Sequence, residues 1–171
     1  MRTIAIIAQK EEKDFIFSLT KILSKLDVEY CLIKEEQILG EKHLDYVILH
    51  SRPQNLDISL NSSYCFINMD ELQGHNIDVY GNVIAFGFGR KNTVTISSAS
   101  EENQGFLYCI QRYLNINALG MLGPEEIPIE VEFSTERELY AYMVGITIAL
   151  IEGKSSEHIA KELNGKVIVN I

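Results

Sequence analysis

The chain has 171 residues, 46% of them hydrophobic, and a formal charge of −9 from 24 acidic and 15 basic side chains. That length suits a single domain with a core of its own, and the apolar fraction is ordinary for a globular protein. So acidic a balance argues against nucleic acid or an anionic membrane as partner, because both select basic surfaces.

Met1 to Ala8 is a short apolar run and reads as a strand. Lys13 to Leu26 puts Phe15, Leu19, Ile22, Leu23 and Leu26 on one face of a helix. Gln9 to Glu12 connects the two. Strand, tight connection and helix N-terminus form the layout that cradles phosphate in nucleotide-binding α/β proteins. Here the connection has no glycine and carries two consecutive acids. Asp27 marks a turn, and Val28 to Ile33 has the β-branched and aromatic content of a strand. Lys34 to Glu41 is a polar turn or short helix, and Leu44 to Leu49 is a buried strand ending at His50. Buried strands joined by a crossover predict a mostly parallel sheet flanked by helices.

Ser51 to Ser63, with Pro53 and many small polar residues, reads as irregular. Tyr64 to Ile67 is the next strand, stopped by Asn68-Met-Asp-Glu71. Asn82 to Phe86 is another, broken by Gly87-Phe-Gly89. The pattern then alternates at Thr93 to Ser98, around Phe106 to Ile110, and at Ile127 to Phe133. Alternation predicts a smaller antiparallel part with one wet face, with Gly120 and Gly123-Pro124 in a loop. Thr135 and Glu138 form a capping box, which opens a helix to about Ile151 ended by Gly153. Ser155 or Ser156 caps a second helix through Leu163. Lys166 to Asn170 reads as a final short strand.

Cys31, Cys65 and Cys109 are odd in number and form no Cys-x-x-Cys pair, which predicts buried reduced thiols. The apolar run after Arg2 is too short for a signal peptide. Tyr142 to Ile151 is too short to span a bilayer. A cytoplasmic protein without membrane contact is therefore expected. Gly153-Lys-Ser-Ser156 reads as a helix stop and cap. Gly87-Phe-Gly-Arg90 reads as a chain reversal, and Asp70-Glu71 as solvated loop acids. His43, His75 and His158 show no metal spacing.

The second half carries a resemblance. Asn82-Val-Ile-Ala-Phe-Gly87, Thr93-Val-Thr, Ile129-Glu-Val through Ile151, and Glu157-His-Ile-Ala-Lys-Glu-Leu163 follow one another in this order. The succession resembles the last part of the central domain of Mur ligases and folylpolyglutamate synthases. There a V-I-T-Y-G strand precedes antiparallel strands, a V-P-G-x-H-N-x-x-N-A-x-A-A helix and an S-P-E-x-I-x-x-A-L helix. Phe66-Ile-Asn-Met-Asp70 is similar to the family's V-x-N-A-D-D strand end, or alternatively to its T-N-x-x-x-D-H segment. Met1 to Leu26 would be the phosphate-binding unit and Leu44 to His50 the following strand. No single motif is intact.

The resemblance implies a triphosphate site that has been lost. The family's G-T-N-G-K-T corresponds to Ala8-Gln-Lys-Glu-Glu-Lys13, with no glycine, Glu12 in the lysine place and Lys13 in the hydroxyl place. One glutamate about 6 Å from one phosphate charge costs roughly 3 kcal/mol at an effective dielectric of about 20. Lys10 and Lys13 offset part of this. His50 stands where the family has a magnesium-binding glutamate, and magnesium prefers oxygen ligands. Arg137, Glu138 and Ala141 replace the helix residues that touch adenine. The family's N- and C-terminal domains have no counterpart here.

On this reading residues 1–171 form one α/β domain of the P-loop-NTPase-like, Mur ligase central-domain type. It is a noncatalytic binding or regulatory protein, taking a protein partner or a second copy of itself, with no cofactor and no metal. The alternative is an enzyme, or a residual nucleotide-binding protein, working at the strand C-terminal ends and linked to cell-wall precursor metabolism. No catalytic residue stands out. The candidate ligand-binding residues are Gln9, Lys10, Lys13, His50, Asn68 and Asp70.

Overall fold

The computed structural model describes residues 1–8, 12–33, 43–51, 59–72, 78–99, 102, 104–116 and 120–164. Ten strands and three helices lie among them. They are β1 (Arg2–Ile7), α1 (Lys13–Lys25), β2 (Tyr30–Ile33), β3 (Leu44–Leu49), β4 (Ser59–Asn68), β5 (Asp78–Phe86), β6 (Val94–Ala99), β7 (Phe106–Ile110), β8 (Leu114–Ile116), β9 (Gly120–Leu122), β10 (Glu125–Ile129), α2 (Glu136–Ile151) and α3 (Ser156–Leu163). Eight strands make one sheet in the order β10-β7-β6-β5-β4-β3-β1-β2, and β8 and β9 form a separate hairpin.

The run from β2 to β6 is parallel, and β7 and β10 add antiparallel strands at one end. β1 sits inside the sheet between β2 and β3. β5 and β6 share only the rung Phe86↔Val94. The connection between them is too short for a crossover, which takes a dozen residues or more. The chain therefore cannot return to the start of β5, and β6 runs onward past its end. Pro128 lies in β10, an edge strand, where its missing N–H costs no ladder bond.

The three helices share one core with one face of the sheet. α1 buries Phe15, Leu19, Ile22 and Leu23, the stripe expected from the sequence. At about 1.5–3 kcal/mol for each fully buried apolar side chain, these four contribute about 6–12 kcal/mol gross, before ordering costs. Asp27 takes the left-handed turn at φ 56° that lets the chain leave α1 for β2. α2 differs from an ordinary amphipathic helix, because twelve of its sixteen residues are buried. It comes close to α1 at Gly145, where an added Cβ would lie 2.7 Å from Ile22 Cγ2. A second cluster, including Ala5, Ile7, Val47, Leu49 and Cys65, occupies the opposite face of the sheet.

The helix caps follow the sequence. Thr135 accepts a hydrogen bond from the Glu138 N–H at 3.3 Å. The Glu138 carboxylate in turn accepts from the Ser134 N–H, one residue earlier than a standard capping box. Ser155, not Ser156, caps α3, and Gly153 ends the preceding turn at φ 88°. Cys31, Cys65 and Cys109 are free thiols; Cys65 and Cys109 are buried and Cys31 is half-buried. Burial pushes the Cys65 thiol up to about 12.

Several boundaries differ from the sequence reading. β4 begins at Ser59, inside the stretch read as irregular, because its polar start pairs with the start of β5, Ser59 opposite Asp78. β10 spans Glu125–Ile129 rather than Ile127 to Phe133; Val131 and Phe133 pack on the core from beyond the strand. The β8–β9 hairpin occupies the region read as a loop. The strand expected at Lys166 to Asn170 lies outside the described residues.

Candidate functional site at the strand ends

The C-terminal ends of β1, β3, β4 and β5 meet the N-terminus of α1 and the first turns of α2. In a parallel sheet this is the edge where ligands bind. His50 follows β3, and its backbone N–H bonds to the Ile7 carbonyl at 3.0 Å, extending the ladder by one residue. Its ring lies flat on Phe15, centroids 3.9 Å apart, with Tyr140 edge-on at 5.5 Å. Only 1% of His50 is exposed.

Both ring nitrogens have partners. Asn68, at the end of β4, places Nδ2 3.2 Å from His50 Nδ1. The same amide uses Oδ1 to accept the Asp70 N–H at 3.1 Å. Asn68 is thereby held with its NH2 toward the ring, and Nδ1 must be the acceptor. The proton sits on Nε2, facing Glu12 Oε2 at 2.5 Å. That contact is a close charge-to-dipole pairing, since Oε2 makes no hydrogen bond of ordinary geometry.

Glu12 is the N-cap of α1, yet its side chain does not cap the helix. It is buried and directed at His50. Its carboxyl is held above the usual range, first by burial, with the Arg137 charge and the Ser51 hydroxyl working the other way. Burial, helped by the same Arg137 guanidinium, lowers His50 to about 4. Glu12, His50 and Asn68 thus form a buried carboxyl–imidazole–amide line with one defined tautomer.

Asp70 is exposed in the turn after β4, as read from the sequence, but it is also engaged. Its Oδ2 accepts the Phe88 N–H at 2.8 Å and the Tyr140 hydroxyl at 3.0 Å. It clasps the β4 end to the turn after β5 and to α2. Gly87 permits this, because at φ 145° an added Cβ would lie 2.8 Å from the Asp70 carboxylate. Desolvation and the Asp70 bond raise the Tyr140 hydroxyl far above its ordinary value.

Of the six candidate residues, the structure joins His50 and Asn68 directly and puts Asp70 beside them, turned toward Phe88 and Tyr140. Lys13, the first residue of α1, is exposed. Gln9 and Lys10 lie outside the described residues. Sequence reasoning passed over Tyr140 and the inward turn of Glu12. An acid at a helix start reads as a surface residue, and only the neighbouring strand end shows what it faces. Among the described residues no group of His, Cys, Asp or Glu is arranged to hold a metal ion. No described helix is long and apolar enough to cross a membrane.

Solved structures share this arrangement of eight strands, mostly parallel, with antiparallel strands at one end and helices packed on the sheet. One crystal structure of MurF from Acinetobacter baumannii superposes with a TM-score of 0.50 at 13% identity, over 96% of this chain and 46% of that one. The fold is Mur-ligase-like. A second crystal structure of MurF from the same organism gives 0.50 at 11% identity, over 96% and 45%. The chain thus spans less than half the length of these proteins. At such identities the Mur-ligase likeness is one of fold. No family model matches the sequence, and no curated protein does.

Proposed function

We propose that this chain is a noncatalytic domain of Mur-ligase-like fold that acts by binding a protein or a small ligand, as a regulator or assembly partner. One observation carries the reading. The buried Glu12 carboxyl stands at the start of α1, against His50. A helix N-terminus attracts anions, and here the chain's own acid occupies that field. A triphosphate at this helix start would meet the carboxylate. A magnesium ion would meet a buried imidazole whose Nδ1 is already bonded to Asn68 and which is not an oxygen ligand. The described residues therefore do not fit a magnesium–nucleotide complex.

Isothermal titration with ATP and Mg²⁺ tests the reading. No saturable heat is expected from the wild-type chain. Micromolar, metal-dependent binding would overturn it.

A further inference from the structure

A second histidine cluster stands at the opposite end of the parallel strands. His43 precedes β3 as His50 follows it. Asn61 and Ser63, two apart on β4, both reach its ring. Asn61 Oδ1 lies 3.0 Å from His43 Nδ1, and Ser63 Oγ lies 2.9 Å from Nε2. An amide oxygen only accepts, so Nδ1 carries the proton of the neutral ring. Nε2 then turns its lone pair to the Ser63 hydroxyl, the reverse of His50. The β4–β5 register shifts between Asn61 and Tyr64, and such irregularities re-aim side chains. Ser63 is also fixed from behind, because its carbonyl accepts a hydrogen bond from Asn82 Nδ2 at 3.1 Å. Ser63 is half-buried and His43 exposed, so the pair is open to a reactant, while Ser62 beside it is buried. Hydroxyl, imidazole and amide in line, each gap within about 2.6–3.2 Å, is the arrangement that activates a serine.

We propose that Ser63 is an acyl-acceptor site, taking one acyl group from a neutral activated ester. Ser63 Oγ attacks the ester carbonyl carbon while His43 Nε2 removes the hydroxyl proton. The Oγ–carbon bond forms, the bond from that carbon to the leaving oxygen breaks, and Nε2 passes the proton to the leaving oxygen. Asn61 is a positioning residue that holds the ring with Nε2 toward the hydroxyl. The formal charge of −9 favours a neutral ester over an anionic phosphoryl donor. A single acylation goes beyond the noncatalytic reading above and does not rest on it. The length of β3 separates this cluster from Glu12 and His50, so acylation here neither needs nor excludes ATP binding there.

The test is incubation of the full chain with p-nitrophenyl acetate, following p-nitrophenolate release and locating acetyl groups by peptide mass spectrometry. A burst approaching one equivalent is expected, with the acetyl group on Ser63. Ser63→Ala should abolish that burst. His43→Gln should slow it about 10²-fold, the low end for loss of a general base. Asn61→Asp should speed it, because a carboxylate steadies the imidazolium that forms; a merely structural hydrogen bond would leave the rate unmoved. All three side chains are exposed or half-buried, so the variants should fold, and circular dichroism checks this. Acetyl groups confined to lysines or to other serines, an undiminished burst in Ser63→Ala, or unchanged rates in His43→Gln and Asn61→Asp would overturn the assignment.

Discussion

Acidification should weaken the fold through His50, and the size of the effect follows from its burial. Its pKa is lowered to about 4 in the folded protein, from an ordinary 6.5. The unfolded chain therefore takes up a proton in a window where the folded one refuses it, so stability falls as the pH drops from above 6.5 toward 4. Between about pH 7 and about pH 5 the linkage amounts to roughly 2 kcal/mol, rising to a ceiling of about 3.4 kcal/mol once the window is crossed. Glu12 opposes this. Its raised pKa lets the folded state bind a proton before the unfolded one, which returns some stability as the pH falls. Urea unfolding followed by circular dichroism at both pH values, in wild type and His50→Gln, measures the difference. Repeating the pair in a Glu12→Gln background removes the opposing carboxyl. The variant should show a shallower pH dependence by up to about 2 kcal/mol. Identical slopes with and without the imidazole, or a chain more stable near pH 5 than near pH 7, would refute the reasoning.

Gly87→Ala should destabilise through both its φ of 145° and the clash with Asp70, and pairing it with Asp70→Ala in a double-mutant cycle should recover only the clash. Asp70→Ala alone should cost about 1.5–3 kcal/mol by chemical denaturation, as it removes a carboxylate accepting two hydrogen bonds. Thr147→Val should be worse than Tyr108→Phe. The first strands the fully buried Tyr108 hydroxyl, while the second leaves Thr147 still bonded to the Met143 carbonyl at 2.6 Å; a gap of about 1 kcal/mol in thermal or urea melts is expected. Gly81→Ala puts a Cβ 1.9 Å from the Ser62 carbonyl oxygen in the β4–β5 ladder. A loss above about 2 kcal/mol, or failure to recover folded protein, is expected.

Where one signal dominates, the sequence was enough. β3 and β7 fall where their apolar runs put them, α1 starts at Lys13 as read, and α2 and α3 start within a residue of their predicted caps. β1 proved interior, as a phosphate-loop-like opening strand requires. Legibility failed where partners decide. Ser59 to Ser63 has no strand pattern of its own and is ordered by pairing with the start of β5. β8 and β9 are three residues each, too short to display a period. At the site, His50 and Asn68 could be picked as strand-end residues, but nothing in the chain order says they touch. Glu12 was read as the acid in the lysine place of a phosphate loop and Asp70 as a solvated loop acid. Each is instead fixed by a residue far along the chain, His50 for one and Tyr140 for the other.

The enclosure of α2 dictates a schedule for maturation. It is synthesised after every described strand of the large sheet, yet it carries the Tyr108–Thr147 bond and packs against α1, α3 and the sheet. A nascent chain that has emerged only as far as β10 has laid down its sheet without the keystone that shields it from water. Installation of this greasy cylinder is the step that covers the exposed face of the sheet. Chaperone dependence should accordingly peak just before residue 151 leaves the ribosome.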